Sequence, residues 1–261
     1  MKTVTGIFRS AVDAQRATSR LQSVLSRDKI TLLIPAGSAT ADGPTDRSAE
    51  ERVAVAGLIG QGVAGAVGVA DRIEVAAVAA VTATVPGVGP VIARGMLGRA
   101  LLGFFGAKSV QSDSGASESL PEHEFFVYEE ALRQGRSVLI AISVKETTAT
   151  LVGALLEDEG AEAVDAARDM WWLRMRNGEM EHYSQGDTKF DRDEKFYRLG
   201  YEAALHAKYR CKEYDQILSE MQFDLEEVQR RYPADDLEKP FLRGFERGRA
   251  YYQELCNKAP Q

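Results

Sequence analysis

The sequence predicts an α+β fold, and three observations carry that prediction. A strand-like alternation opens the chain and gives way at once to an amphipathic helix. The same strand-then-helix grammar returns after residue 136. Beyond residue 168 the composition turns to aromatic and charged residues at helical spacing.

Residues 3–8 are β-branched and apolar, as a strand requires. Ser10, with Asp13 three residues on, forms a capping-box-like helix start. Ala14, Ala17, Leu21, Val24 and Leu25 then recur at three- and four-residue steps, which predicts a helix to about Ser26 with one face against a sheet. Residues 30–34 read as a second strand, stopped by Pro35. Further on, Ser119 and Glu122 open a helix that Gly135 closes. Residues 137–144 read as a buried strand and residues 146–159 as a helix presenting Val152, Leu155 and Leu156. Gly160 ends that helix, and a short strand at 163–165 completes a second half. Two split βαβ halves with helices on one face of an antiparallel sheet describe the ferredoxin-like plan, here expected over residues 1–168.

Between the halves lie polar loops at 36–51 and 109–119, and between those loops an insertion rich in glycine and alanine, residues 53–107. Residues 53–70 and 75–93 carry no charge and are separated by Asp71, Arg72 and Glu74. Ala56, Gly60, Ala64 and Gly68 fall at four-residue intervals, a glycine zipper whose flat face lets another backbone approach closely. The expected insertion is therefore helical. Charge-free runs near the ~20 residues needed to span a bilayer make a membrane hairpin the alternative. The small side chains, and the break at Pro86, Gly87, Gly89 and Pro90, favour packing against protein. Those four residues read as a rigid turn. Gly60, Gly62 and Gly65 also match G-x-G-x-x-G, so a nucleotide site is a second alternative. The match lacks the acid expected about 20 residues further on, and charges at Asp71 and Arg72 soon interrupt the helix that should follow it.

Residues 169–189 are expected to form a linker, and residues 190–261 a small helical domain with segments near 190–209, 212–231 and 236–257. A repeat is visible there: Tyr197, Gly200, Tyr201 and Glu202 align with Phe241, Gly244, Phe245 and Glu246 at an offset of 44 residues. A glycine inside a helix costs about 1 kcal/mol against alanine, so Gly200 and Gly244 are expected at a close helix crossing. The aromatics of this region, mixed with arginines, could stack on bases. Their periodicity and the neighbouring acids Glu202, Glu226 and Glu246 favour a core with solvated ion pairs instead.

The 261 residues carry a formal charge of -7, which argues against nucleic acid as a partner. With two cysteines, Cys211 and Cys256, no disulfide framework is expected. The three histidines, His123, His182 and His206, are scattered, and Glu122, His123 and Glu124 are adjacent helix residues pointing in different directions, so no metal site is expected. No G-x-S-x-G or other nucleophile with an identifiable base appears. Residues 1–9 lack the basic start and apolar stretch of a secretory signal, which predicts a cytoplasmic protein.

Thr3, Val4, Thr5, Gly6, Ile7 and Phe8, the zipper, the run 85–93 around Pro86 and Pro90, Leu120 to Glu124, Tyr128, Glu129 and Gly135 together carry a resemblance. Over residues 1–165 the chain resembles the bacterial general stress protein (heat-induced stress protein) domain. The resemblance implies a stress-associated cytoplasmic protein of unknown molecular activity, with no catalytic residues to carry over. Asp71, Arg72, Glu74 and the polar stretch 109–119 depart from its usual pattern. The expectation for function is a non-enzymatic stress-response protein, without cofactor or metal. It would act by self-association into a homo-oligomer or by docking a protein partner, through the small-residue insertion and the C-terminal helices.

Overall fold

The computed structural model describes residues 2–38, 80–107, 120–143, 145–184, 190–210, 212, 214, 216, 217, 230 and 238–258. Strand β1 (Lys2–Phe8) leads into helix α1 (Ala11–Leu21) and strand β2 (Ile30–Pro35). A hairpin, β3 (Val81–Val85) and β4 (Gly89–Arg94), is followed by α2 (Gly98–Phe104) and α3 (Phe125–Arg133). Then come β5 (Ser137–Ser143), α4 (Glu146–Asp158), β6 (Glu162–Ala163) and three longer helices, α5 (Val164–Ser184), α6 (Phe190–Leu205) and α7 (Glu238–Lys258). The fold is mixed helix and sheet. Among the described residues the strands form one antiparallel sheet of six, in the order β3-β4-β2-β5-β1-β6.

Local chemistry sets most of these boundaries. The Ser10 hydroxyl accepts from the Asp13 N–H at 3.1 Å and donates to the Asp13 carboxylate at 2.7 Å, capping α1. The helix stops at Leu21 rather than Ser26. The chain tightens there, with the Val24 and Leu25 N–H groups both donating to Leu21 O, and Leu25 still reaches the core below α1. Helices α3 and α4 end on Gly135 and Gly160 at φ 77° and 83°. At each end, crossed bonds from the next two N–H groups satisfy the last carbonyls. The helix start expected at Ser119 lies outside the described residues, and α3 begins after a 3-10 turn at Glu122–Glu124.

The sheet is covered on both faces, not one. On one face α1 and α4 bury Phe8, Leu32, Ile34, Leu139 and Ala141. On the other, α2, α3 and α5 bury Ile7, Leu33, Val138, Ile140 and Ile142, and α6 packs behind α5. Successive strand residues point to opposite faces, so β5, buried at every position, must be sandwiched. Alanines at 14 and 17 keep α1 close to the strands, and Arg16 and Arg20 both pair with Glu159 just past α4, tying the two outer helices together.

Four expectations are corrected. Residues 81–94, expected within a helical insertion, form the β3–β4 hairpin. Val81, Ala83 and Val85 alternate with Thr82 and Thr84, and Pro86 with Gly87 closes a tight turn in which Val88 N–H donates to Val85 O. That placement also removes the second arm of a membrane hairpin, and no described helix is long and apolar enough to cross a membrane. Residues 169–184, expected in a linker, belong to α5, because Trp171, Trp172 and Tyr183 recur on one buried face. The last strand is Glu162–Ala163, and Val164 already begins α5. Finally, the helical region is not set apart: Trp171, Trp172, Tyr197 and Tyr201 share one continuous core with strand residues such as Val138 and Ile140. The zipper positions Ala56, Gly60, Ala64 and Gly68, the Gly60–Gly65 motif and most of the 212–231 segment lie outside the described residues.

Candidate functional site

The crossing of α6 and α7 brings together the two halves of the internal repeat. A Cβ on Gly200 would run into the carbonyl oxygen of Phe241 and lie 2.8 Å from its carbonyl carbon. A Cβ on Gly244 would meet the carbonyl oxygen of Tyr197 and lie 2.7 Å from its carbon. Each glycine thus faces the carbonyl three residues before the other, the reciprocity of a local two-fold axis. Gly248, one turn on, has its hypothetical Cβ 2.6 Å from Tyr201 O and 2.9 Å from the Ala204 side chain. Backbones at this distance need residues without side chains on both helices.

The repeat's aromatic residues point to different sides of the crossing. Tyr197 and Tyr201 turn towards α5. Tyr197 meets Tyr183 edge-on at 5.3 Å, and Tyr201 packs against Trp171 at 5.8 Å and Trp172 at 5.9 Å. Their counterparts Phe241 and Phe245 pack with Ala203, Ala204, Ile217 and Tyr214 in a second small core.

Polar anchors surround this aromatic layer. The Tyr197 hydroxyl donates to Glu179 at 2.7 Å, and the Arg247 Nε donates to the same buried carboxylate at 3.1 Å. Burial, with the Glu179 charge beside it, pushes the Tyr197 phenol far above its ordinary value. The Tyr183 phenol, pushed up to about 12 by burial and by Asp193, donates to Asp193 at 2.8 Å. The Trp172 Nε1 and Arg176 Nε both donate to Glu194 at 2.8 Å. Arg198 bridges Asp169 at 2.8 Å and Glu202 at 2.7 Å.

The deepest anchor joins the crossing to the sheet-side helix α3. Arg210, just beyond α6, donates to Glu129 at 2.8 Å and to the Tyr252 hydroxyl of α7 at 3.3 Å. Both charged side chains are almost fully buried, at 5% and 6% exposure. Burial raises the Glu129 carboxyl, and the Arg210 guanidinium opposes that rise.

The turn expected at Pro86, Gly87, Gly89 and Pro90 seats the hairpin on this same assembly. Arg133 of α3 donates to Gly87 O at 2.7 Å, and a Cβ on Gly87 would sit 3.1 Å from the Leu255 Cβ of α7. Helix α7 therefore touches the turn near its end and α6 near its middle. The sequence marks Glu129 only through the stress-protein resemblance and Arg210 only as one of the arginines among the C-terminal aromatics, and neither they nor Glu179 stand out in it as buried anchors. The available signal was an acid inside the apolar run of α3 and another facing inward from α5.

A cleft of about 400 Å³ opens beside the crossing, lined by His182, Tyr183, Tyr197, Arg243, Glu246 and Arg247. Its cationic groups are engaged with the protein: Arg247 is held by Glu179, and Arg243 lies 5.0 Å over the Tyr183 ring, whose hydroxyl is bonded to Asp193. Among the described residues no group of three or more His, Cys, Asp or Glu is arranged to hold a metal ion. No protein-family model matches the chain, no curated protein matches it, and no solved structure matches it.

Proposed function

We propose that this chain is a non-enzymatic protein of the general-stress type that works by self-association. The observation that carries this reading is how the molecule uses its perturbed titratable groups. Glu129 and Arg210 pair almost fully buried across a helix interface, and Tyr197 and Arg247, which line the cleft, both direct their polar atoms to the buried Glu179 of α5, so these groups tie elements together. Groups held this way act as structural ties.

The ferredoxin-like plan is part of the same proposal. The strand order β2-β5-β1-β6, with α1 and α4 on one face, is what two split βαβ halves require, and the β3–β4 hairpin then extends the sheet beyond β2. The resemblance to the stress-protein domain rests on Thr3 to Phe8, Leu120 to Glu124 and Gly135, residues that fall in β1, around the start of α3 and at its end. A cytoplasmic location belongs to that resemblance as well.

Light scattering on the full chain at micromolar concentration tests the reading. A defined homo-oligomer is expected, and a monomer across the concentration range refutes it.

A further inference from the structure

Strand β3 ends the sheet, and among the described residues no strand pairs with its outer side. Alternate N–H and C=O groups of such a strand point away from its one neighbour and can template another strand. Protein edges are ordinarily guarded by lysine, an inward charge, proline within the strand or a bulge. β3 has none of these. Its five residues, Val81, Thr82, Ala83, Thr84 and Val85, are uncharged and register regularly with β4, and the nearest charges along the chain are Glu74 and Arg94. Pro86 lies past the last residue, in the turn.

The strand is also a palindrome about Ala83. Paired antiparallel with a second copy about a two-fold axis at Ala83, Val81 of one copy lies opposite Val85 of the other, Thr82 opposite Thr84, and Ala83 opposite its own equivalent. The faces match as well. Val81, Ala83 and Val85 lie on the face packed against the core, so the pairing continues that face across the junction. Thr82 and Thr84 are exposed and meet as cross-strand threonine pairs, a favourable combination. An isologous contact of this kind closes on itself and stops at two copies.

We infer that the outer edge of β3 is a self-recognition site whose partner is the β3 edge of a second copy, joining two six-stranded sheets into one of twelve. This deepens the proposed self-association and rests on it. Five residues make a small contact, below the ~800 Å² per partner of a standard interface, so the dimer is expected to depend on concentration.

Two measurements on the full chain test the assignment. First, light scattering compares the wild type with Thr82→Lys/Thr84→Lys, which sets like charges opposite one another across the two-fold axis at exposed positions; circular dichroism checks the fold. Dimer is expected for the wild type and monomer for the variant. Second, in a Cys211→Ser/Cys256→Ser background, Thr82→Cys and Thr84→Cys are made singly. Oxidising their mixture is expected to cross-link several-fold more dimer than oxidising either alone, because only unlike positions face each other. A monomeric wild type overturns both this inference and the self-association reading. A dimeric wild type that stays dimeric in the lysine variant and gives no preferential cross-link overturns the β3 edge alone, and leaves self-association standing through another surface.

Discussion

Replacing Gly200 with alanine is the sharpest perturbation of the helical assembly, because two opposing effects act at one position. Alanine is favoured over glycine inside a helix by about 1 kcal/mol, so propensity alone predicts a more stable protein. Against this, the new Cβ would stand 2.8 Å from the Phe241 carbonyl carbon, about 0.6 Å inside the 3.4 Å at which ordinary contact begins, and closer still to the oxygen. Its neighbours are backbone atoms of a helix and cannot rotate away, so α6 and α7 must separate. Separation loosens Tyr197 and Tyr201 from the aromatic layer on α5. Overpacking of this kind costs ~3 kcal/mol at the upper end of its usual range, which leaves a net loss of about 2 kcal/mol or more. Gly178→Ala in α5 is the control, since nothing lies within 4 Å of its hypothetical Cβ, and it should stabilise by roughly 0.5–1 kcal/mol. Urea unfolding followed by circular dichroism reads both signs in one experiment. If Gly200→Ala unfolds at the same or a higher urea concentration than the wild type, the close crossing is refuted.

Gly200→Ala/Gly244→Ala should cost less than the sum of its single changes, because one separation of the helices relieves both clashes; a double-mutant cycle in urea measures the shortfall. Glu129→Ala should destabilise by ~3–5 kcal/mol by leaving Arg210 buried without its partner, and Glu129→Leu/Arg210→Met should recover much of the loss in the same assay. Glu159 has its carboxyl pulled below the usual 4.5 by hydrogen bonds from Arg16 and Arg20. Its folded value is the lower one, so its contribution is present above pH 4.5 and is lost as pH falls through that lowered value; Glu159→Gln should flatten the acid limb of a stability–pH curve without changing its neutral plateau in shape.

How much of this could be read from the chain follows the range of the physics involved. The Ser10 cap, the glycine stops at 135 and 160 and the turn at 86–89 all depend on bonds between residues a few positions apart, and their signals are local; the strand at 30–35 is legible for a different reason, its unbroken apolar run before Pro35. The composition likewise carried the mixed α+β character. The hairpin at 81–94 is hard to see in the sequence because its alternation, valine and alanine against threonine, is a weak contrast inside a longer uncharged small-residue stretch. The helix through 169–184 has a wide polar face and few buried aromatics, so its sequence carries little of the periodic signal of a helix.

The sequence by itself determined the Ser10 cap, the glycine stops at 135 and 160, the turn at 86–89 and the presence of an internal repeat at an offset of 44 residues. Only the tertiary structure decided what those elements cover. It showed β5 sandwiched between two helical layers, Gly200 and Gly244 set against the carbonyls of Phe241 and Tyr197 on the opposite helix, and Glu129 joined to Arg210 across 81 positions of chain. Hydrogen bonding and steric stops act between chain neighbours and leave a pattern that one segment can display. Burial and charge pairing depend on which distant segment arrives opposite, and a segment carries no record of that until the chain has closed around it.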